Sequence, residues 1–256
     1  MNILVVGDLV GKIGLDKLKR ELPDLVKNHE IDFVIVNAEN VAEGMGITEK
    51  NYRELLNLNV DAITMGNHTW AKKEIFKFID EPHIIRPANY PKGVPGAGYR
   101  IFKCKDKKIA VINLLGRAEI NILTENPFQY ADRIIKNIKH EVDIIIVDFH
   151  AEATAEKRAM GFYLDGSANI VFGTHTHIQT ADEQILPKGT AYITDVGMTG
   201  PKNSIIGMEI EASVKRFVTA LPEKYKIASG ESMLNACVFK INDDNCRIEN
   251  IIRISC

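Results

Sequence analysis

Short runs of β-branched and aliphatic residues recur along the chain, and most end in polar side chains. They read NILVVGD (2–8), DFVIVNAEN (32–40), DAITMGNH (61–68), KIAVINLLGR (108–117), DIIIVDFH (143–150), NIVFGTHTH (169–177) and TAYITDVG (190–197). Continuous apolar runs of this kind mark strands buried on both faces. Amphipathic stretches lie between several of them. Leu15, Leu18, Leu22, Leu25 and Val26 keep helical spacing, and Pro23 is expected to break or restart that helix. Residues 51–58, 72–79 and 130–139 carry further helical patterns, the last following Asn126-Pro127. The alternation predicts a layered α/β fold. Beyond residue 190 the spacing changes. Runs near 190–197, 234–241 and 246–254 are divided by turns containing Gly, Asn and Asp, with a short helix near 209–219. That tail predicts antiparallel strands that complete a second sheet. No Pro/Gly-rich linker interrupts the chain, so a single domain over 1–256 is expected.

A chain of 256 residues is long enough for a substantial core. Its formal net charge is −2, so there is no global basic field and a long nucleic-acid duplex is not an expected partner. A small anionic substrate would need local positive charge, such as metal ions. MNILVVGD has no basic segment leading into a long apolar stretch, and no apolar run approaches a membrane span. The cysteines at 104, 237, 246 and 256 form no C-x-x-C pair, which fits reduced thiols in a cytoplasmic protein.

Ligands of open α/β sheets bind beyond the carboxyl ends of the strands. Those ends hold Asp8, Glu39 with Asn40, Asn67 with His68, His150, and the pair His175 and His177. Four of the seven histidines close such a strand. In an extended strand, residues i and i+2 share a face. His175 and His177 would then reach one metal, or one of two neighbouring metals each. A pair of surface histidines in a turn is the plainer reading of that motif alone.

Each residue has a plain alternative. Asp8 after a strand is usually a turn residue or helix cap. The stretch GDLVGKIG lacks both the G-x-G-x-x-G spacing and a closing Gly-Lys-Ser/Thr, so neither phosphate-binding loop fits. Glu39 alone would be a loop residue. A carboxylate after a buried strand is nevertheless costly unless paired or metal-bound, and its two oxygens allow it to bridge two cations. Asn40 and Asn67 offer neutral oxygens. His68 lies beside the metal site without needing to ligate, where a general acid belongs. His150 alone would be a hydrogen-bonded structural residue. Asp148 alternates with it, placed either to orient an imidazole or as a simple strand residue. The metal centre follows from the combination at five strand ends. Segment 118–128, AEINILTENPF, is a candidate substrate loop.

These stretches together resemble the calcineurin-like metallophosphoesterases, with GDLVG, NAEN, GNHTW, DFHAEAT and GTHTH standing where that superfamily has its motifs. Several positions depart from the common pattern. Val10 replaces the histidine of D-x-H, Glu39 the bridging aspartate, and Thr69 the acid after G-N-H, while Thr174 is inserted before His175. The same departures mark the YmdB-type family of bacterial phosphodiesterases, which the chain resembles over nearly its whole length. NAENVAEGMGIT, ITMGNHTW, RPANYP, VINLLGR, DFHAEATAEK and FGTHTHIQTADEQILPKGTAYITDVGMTG carry that likeness.

The resemblance implies a four-layer α/β/β/α sandwich and a dinuclear metal site, often of iron. It also implies phosphodiesterase activity on cyclic nucleotides, 2′,3′-cyclic ones especially and 3′,5′-cyclic ones in addition. Carried over by position, Asp8, Glu39, Asn40 and His177 hold one metal. Glu39, Asn67, His150 and His175 hold the other, and His68 is the acid. The missing histidine makes the first set rich in oxygen, which suits manganese or ferric iron. The implied reaction uses a metal-activated hydroxide and no covalent enzyme intermediate. A small phosphodiester or nucleotide is then the partner, and a homo-oligomer is compatible with the sequence. Three other classes compete with this reading. An amidohydrolase places H-x-H on its first strand, unlike here. A phosphomonoesterase or nucleotidase would use the same motifs. A metal-binding regulatory protein would have no use for His68.

Overall fold

The computed structural model describes residues 1–256, and the chain builds two sheets in three passes. The first pass lays down β1 (Asn2–Val6), β2 (Asp8–Leu9), β3 (Phe33–Asn37), β4 (Ala62–Thr64) and β5 (Ile84–Ile85). The second adds β6 (Tyr99–Cys104), β7 (Lys107–Leu115), β8 (Ile144–His150), β9 (Ile170–Thr174), β10 (Gln184–Ile185) and β11 (Ala191–Ile193). The third returns with β12 (Met198–Pro201), β13 (Ser232–Ile241) and β14 (Ile248–Ser255). One sheet has the order β2-β12-β13-β1-β3-β4-β5, with β14 also on β13; the other runs β10-β11-β9-β8-β7-β6.

Five helices cover the outer faces and connections: α1 (Gly11–Asn28), α2 (Glu49–Asn57), α3 (Pro127–Ile138), α4 (Thr154–Tyr163) and α5 (Ile210–Thr219). Strand alternation shows the layering. Leu4, Val6, Val34 and Val36 face α1 and α2, in a core that also holds Leu15, Leu18, Leu22 and Leu55. Ile3, Val5, Phe33 and Ile35 point the other way, against Ile109, Val111, Ile146 and Phe172 of the second sheet. Ala110, Ile112 and Val147 then face α3 and α4, through Ile134, Ile135 and Met160. The order of layers is therefore α/β/β/α, and the central strands are apolar on both sides because both sides are covered.

The elements start and stop for local reasons. Thr48 and Asn51 form a reciprocal capping box on α2, and Asn126 caps α3 with Pro127 in its first turn. Gly14 allows α1 to lie against the sheet, since a Cβ there would sit 2.1 Å from the Thr199 carbonyl oxygen. The glycines of GDLVGKIG thus serve close packing as well as a turn.

Three expectations need correction, and two elements were not anticipated. Pro23 does not break α1, which runs through it. Pro23 lies on the exposed side, so its ring meets solvent while the apolar stripe stays packed. Of the tail, only β11 joins the second sheet, and it does so parallel to β9, while β12, β13 and β14 return to the first. β13 pairs antiparallel with β1, and Cys237, Phe239 and Ile241 fill the core between the sheets. Residues 72–79 form only a short 3-10 turn at Lys73–Lys77. Helix α4 and strand β6 carry no pattern strong enough to announce them. No helix is long and apolar enough to cross a membrane.

β1, β3 and β4 are mutually parallel, as are β7, β8, β9 and β11. Their carboxyl ends bring Asp8, Glu39, Asn67, His150, His175 and His177 to one edge shared by both sheets.

Candidate metal centre

Four heteroatoms crowd together at the end of β8. His150 Nε2 lies 3.0 Å from Glu39 Oε1, 2.9 Å from Asn67 Oδ1 and 3.0 Å from His175 Nδ1. Glu39 and His150 are fully buried, at 1% and 0% exposure. Gly66 makes the cluster possible, because a Cβ there would sit 2.4 Å from both Glu39 Oε2 and His150 Nε2.

The other ring nitrogen of His150 is held from behind. The Thr174 hydroxyl donates to Asp148 Oδ1 at 2.7 Å, and its oxygen lies 2.8 Å from His150 Nδ1. With its own proton committed to Asp148, Thr174 accepts from His150 Nδ1–H, which fixes the ring with Nε2 facing the cluster. Asp148 therefore acts on His150 through Thr174.

A second group adjoins the first. His177 Nδ1–H donates to the Ile206 carbonyl at 2.9 Å, which again frees Nε2. That nitrogen lies 3.1 Å from Asn40 Nδ2 and 3.8 Å from Asp8 Oδ1. Asn40 Nδ2 also donates to Glu39 Oε1 at 3.3 Å, linking the two groups. Asp8 Oδ2 accepts from the His175 N–H at 3.2 Å, whereas Asp8 Oδ1 is buried with no hydrogen-bond partner.

The histidine pair does not share a strand face. β9 ends at Thr174, and His175 and His177 adopt positive φ angles of 97° and 65°. Neither is glycine, so this backbone is strained and must be held by its surroundings. Thr176, between them, is the handle. Its N–H and hydroxyl both donate to Asp195 Oδ2, at 3.1 and 2.7 Å. Lys157 of α4 donates to the same oxygen at 2.6 Å, in an ion pair whose partners are 1% and 0% exposed. The turn sends one imidazole to each group.

The electrostatics follow from crowding. Burial works against the Glu39 charge, but the His150 imidazole and the His68 N–H outweigh it and hold the carboxyl down to about 2. Burial likewise opposes charge on His150, yet Glu39 raises it to about 9. Burial and the neighbouring His150 push His175 down to about 3. Burial raises Asp8, and takes Asp148 up to about 6.

These residues fit cations. Glu39, His150 and His175 each offer a donor atom, all within 4.8 Å of one another. One proton on His150 Nε2 serves only one of the three acceptors around it, whereas a cation serves them together. The unpartnered Asp8 Oδ1 carries a desolvation penalty that a cation would also relieve.

The cluster opens onto a cavity of about 580 Å³, lined by Glu39, Asn40, His68, His175 and His177 on one part and by Met45, Ile206, Phe217 and Tyr225 on another. His68 is half-buried there and engages Glu39 Oε2 through its backbone N–H at 2.9 Å, not its ring. A larger cavity of about 1250 Å³ holds lysines such as Lys12 and Lys19 paired with Asp16 and Glu54, but no imidazole.

A family model described as YmdB-like protein matches residues 4–254. The chain belongs to the YmdB-like family. It is 51% identical over 255 residues to a 2′,3′-cyclic-nucleotide 2′-phosphodiesterase of Bacillus subtilis (strain 168), covering 99% of this chain and 96% of that one. Two solved structures superpose over 100% of the chain at 37% identity. One is a protein from Thermus thermophilus, with a TM-score of 0.93 and 98% of its length covered. The other is described as a novel phosphatase from Mycoplasma pneumoniae, with a TM-score of 0.95 and 93% covered. The expected family and the four-layer fold both stand.

Within this YmdB-like frame, the sequence reading missed Thr174 as a relay, the Lys157–Asp195 pair, and Glu152, whose carboxylate lies 3.0 Å from His175 Nε2. Asp195 closes a strand as Asp8 does, which was the available signal. The candidate loop 118–128 contributes nothing to the cavity wall; the segment following α5 does.

Proposed function

We propose that this chain is a two-metal phosphodiesterase that hydrolyses 2′,3′-cyclic nucleotides. The observation that carries the reading is the buried convergence of Glu39, Asn67 and His175 on His150 Nε2, at the end of a cavity of about 580 Å³. That volume lies within the range of small-molecule sites, roughly 300–1,000 Å³. The name carried by the Bacillus subtilis relative supplies the substrate class.

Asp8, Glu39, Asn40 and His177 would hold one cation, and Glu39, Asn67, His150 and His175 the other. Iron or manganese suits the oxygen-rich first set. When bound, such ions supply Lewis-acid charge to phosphoryl oxygens and acidify water. The protein does the rest. Asp148, through Thr174, keeps the His150 lone pair aimed inward. Ile206 does the same for His177. Asp195 holds the turn between the two imidazoles. As water adds at phosphorus and releases a proton to solvent, the bond to O2′ breaks and the alkoxide leaves. His68 gives that oxygen a proton, and the product carries a 3′-phosphate.

The test compares turnover of adenosine 2′,3′-cyclic phosphate, adenosine 3′,5′-cyclic phosphate and AMP by manganese- or iron-loaded protein, alongside metal analysis. The 2′,3′-cyclic diester should be favoured, with about two metal equivalents per chain. Faster hydrolysis of AMP would make the chain a phosphomonoesterase. No turnover at all would leave a metal-binding protein, and a stoichiometry that never exceeds one under loading would rule out the two-ion site.

A further inference from the structure

The cavity above the ligand cluster is chemically lopsided. Its catalytic part is built from carboxylate, carboxamide and imidazole groups. Its remaining lining includes two aromatic rings, Phe217 on α5 and Tyr225 after it. Phe217 is 81% exposed and Tyr225 43% exposed, although large aromatic side chains ordinarily bury most of their surface. Nothing in the hydrolytic chemistry above uses either ring.

The segment that presents them is anchored. Ala220 ends α5 in the left-handed region at φ 57°, and its N–H donates to the Arg216 carbonyl at 2.9 Å. The chain then returns, and the Glu209 N–H just before α5 donates to the Lys226 carbonyl at 2.9 Å. The Arg216 guanidinium lies 5.0 Å over the Tyr225 ring and holds it in place. Two aromatic side chains are thus presented on an anchored segment lining the cavity that carries the ligand cluster, with the Tyr225 ring held by Arg216.

We propose that Phe217 and Tyr225 form a nucleobase shelf, which makes the site select diesters that carry a base, purines above all. The proposal rests on the diesterase reading and deepens it. Every base has a π-face, and stacking on an aromatic side chain tolerates sequence while rewarding ring area. The occupant is the base and not a second copy, because Phe217 lines a concave cavity shared with the phosphoryl site, whereas the exposed Val214 and Val218 on the same helix do not.

The experiment measures kcat/KM for two cyclic diesters, adenosine 2′,3′-cyclic phosphate and the base-free methyl riboside 2′,3′-cyclic phosphate. Their ratio is the readout. In Phe217→Ala the ratio should fall about ten- to a hundredfold, the range of one lost base stack, chiefly through KM. Phe217→Trp should restore it. Adenosine 3′-phosphate binding, followed by calorimetry, should weaken by the same factor. The exposed position of Phe217 keeps these changes clear of the core. A wild type that hydrolyses both diesters equally overturns the shelf and leaves the diesterase reading standing. So does a ratio unmoved by Phe217→Ala; if sedimentation then shows a smaller species, the α5 face is a contact between copies. A wild type inert to both diesters overturns the diesterase reading and the shelf with it.

Discussion

Asp195→Asn removes one charge from a site where nothing else can replace it. The Asp195 carboxylate accepts from Lys157 Nζ at 2.6 Å, from the Thr176 hydroxyl at 2.7 Å and N–H at 3.1 Å, and from the Gly197 N–H at 2.7 Å. The two charged partners are 1% and 0% exposed, so water cannot take over for Lys157 when its counter-charge goes. Removing one partner of a buried pair costs about 3–5 kcal/mol. The carboxamide of asparagine also points an N–H group at donors. For a chain of this size each kcal/mol moves Tm by roughly 2–4 °C, so the variant should melt about 6–20 °C lower. Thermal unfolding of chelator-treated protein measures this without a contribution from bound metal. The double variant Lys157→Met/Asp195→Asn should recover part of the loss, because it removes the stranded ammonium. A drop of only a degree or two in Asp195→Asn, matched by an equal drop in the double variant, would show that the pair behaves like an exposed one and holds nothing.

The other predictions concern the centre itself. Glu39→Gln should abolish turnover and lower metal content, and the metal-free protein should also melt lower, because His150 loses its buried counter-charge; activity within a few fold of wild type would make Glu39 a loop residue. His68→Ala should keep its metal and lose roughly 10²–10⁴-fold on substrates with alkyl leaving groups, but less on nitrophenyl diesters, whose leaving group hardly needs a proton. Equal losses on both, together with lost metal, would make His68 a ligand. Metal affinity should rise with pH. Glu39 keeps the His150 imidazole protonated up to about 9, so binding must expel that proton below this pH and need not above it. Titrations with manganese should tighten by up to about tenfold per pH unit below about 9 and level off beyond it; an affinity independent of pH from 6 to 9 would refute the coupling.

Sequence alone placed the candidate ligands at strand ends, because those signals are local. Apolar runs marked β1, β3, β8 and β9, and helical spacing marked α1 and α3. Asp8, Glu39, Asn67, His150, His175 and His177 all stand at or just beyond strand ends, where parallel sheets expose side chains. What periodicity could not show is which distant residues meet. His175 reaches Asp8 across 167 positions, and His150 reaches Asn67 across 83. The sheet that receives the tail was decided by the fit of Cys237, Phe239 and Ile241 between two layers, since antiparallel patterning alone suits either sheet. Pro23 was tolerated because its face of α1 meets solvent, a matter of helix orientation and not of composition. The strand reading of His175 and His177 failed because Asp195 and Lys157 hold Thr176 in a turn that no local propensity favours. Phe217 and Tyr225 carry no motif at all. Only the packing of α5 and the return of the chain after it bring them into the cavity that the histidines line, through backbone hydrogen bonds that any sequence could form.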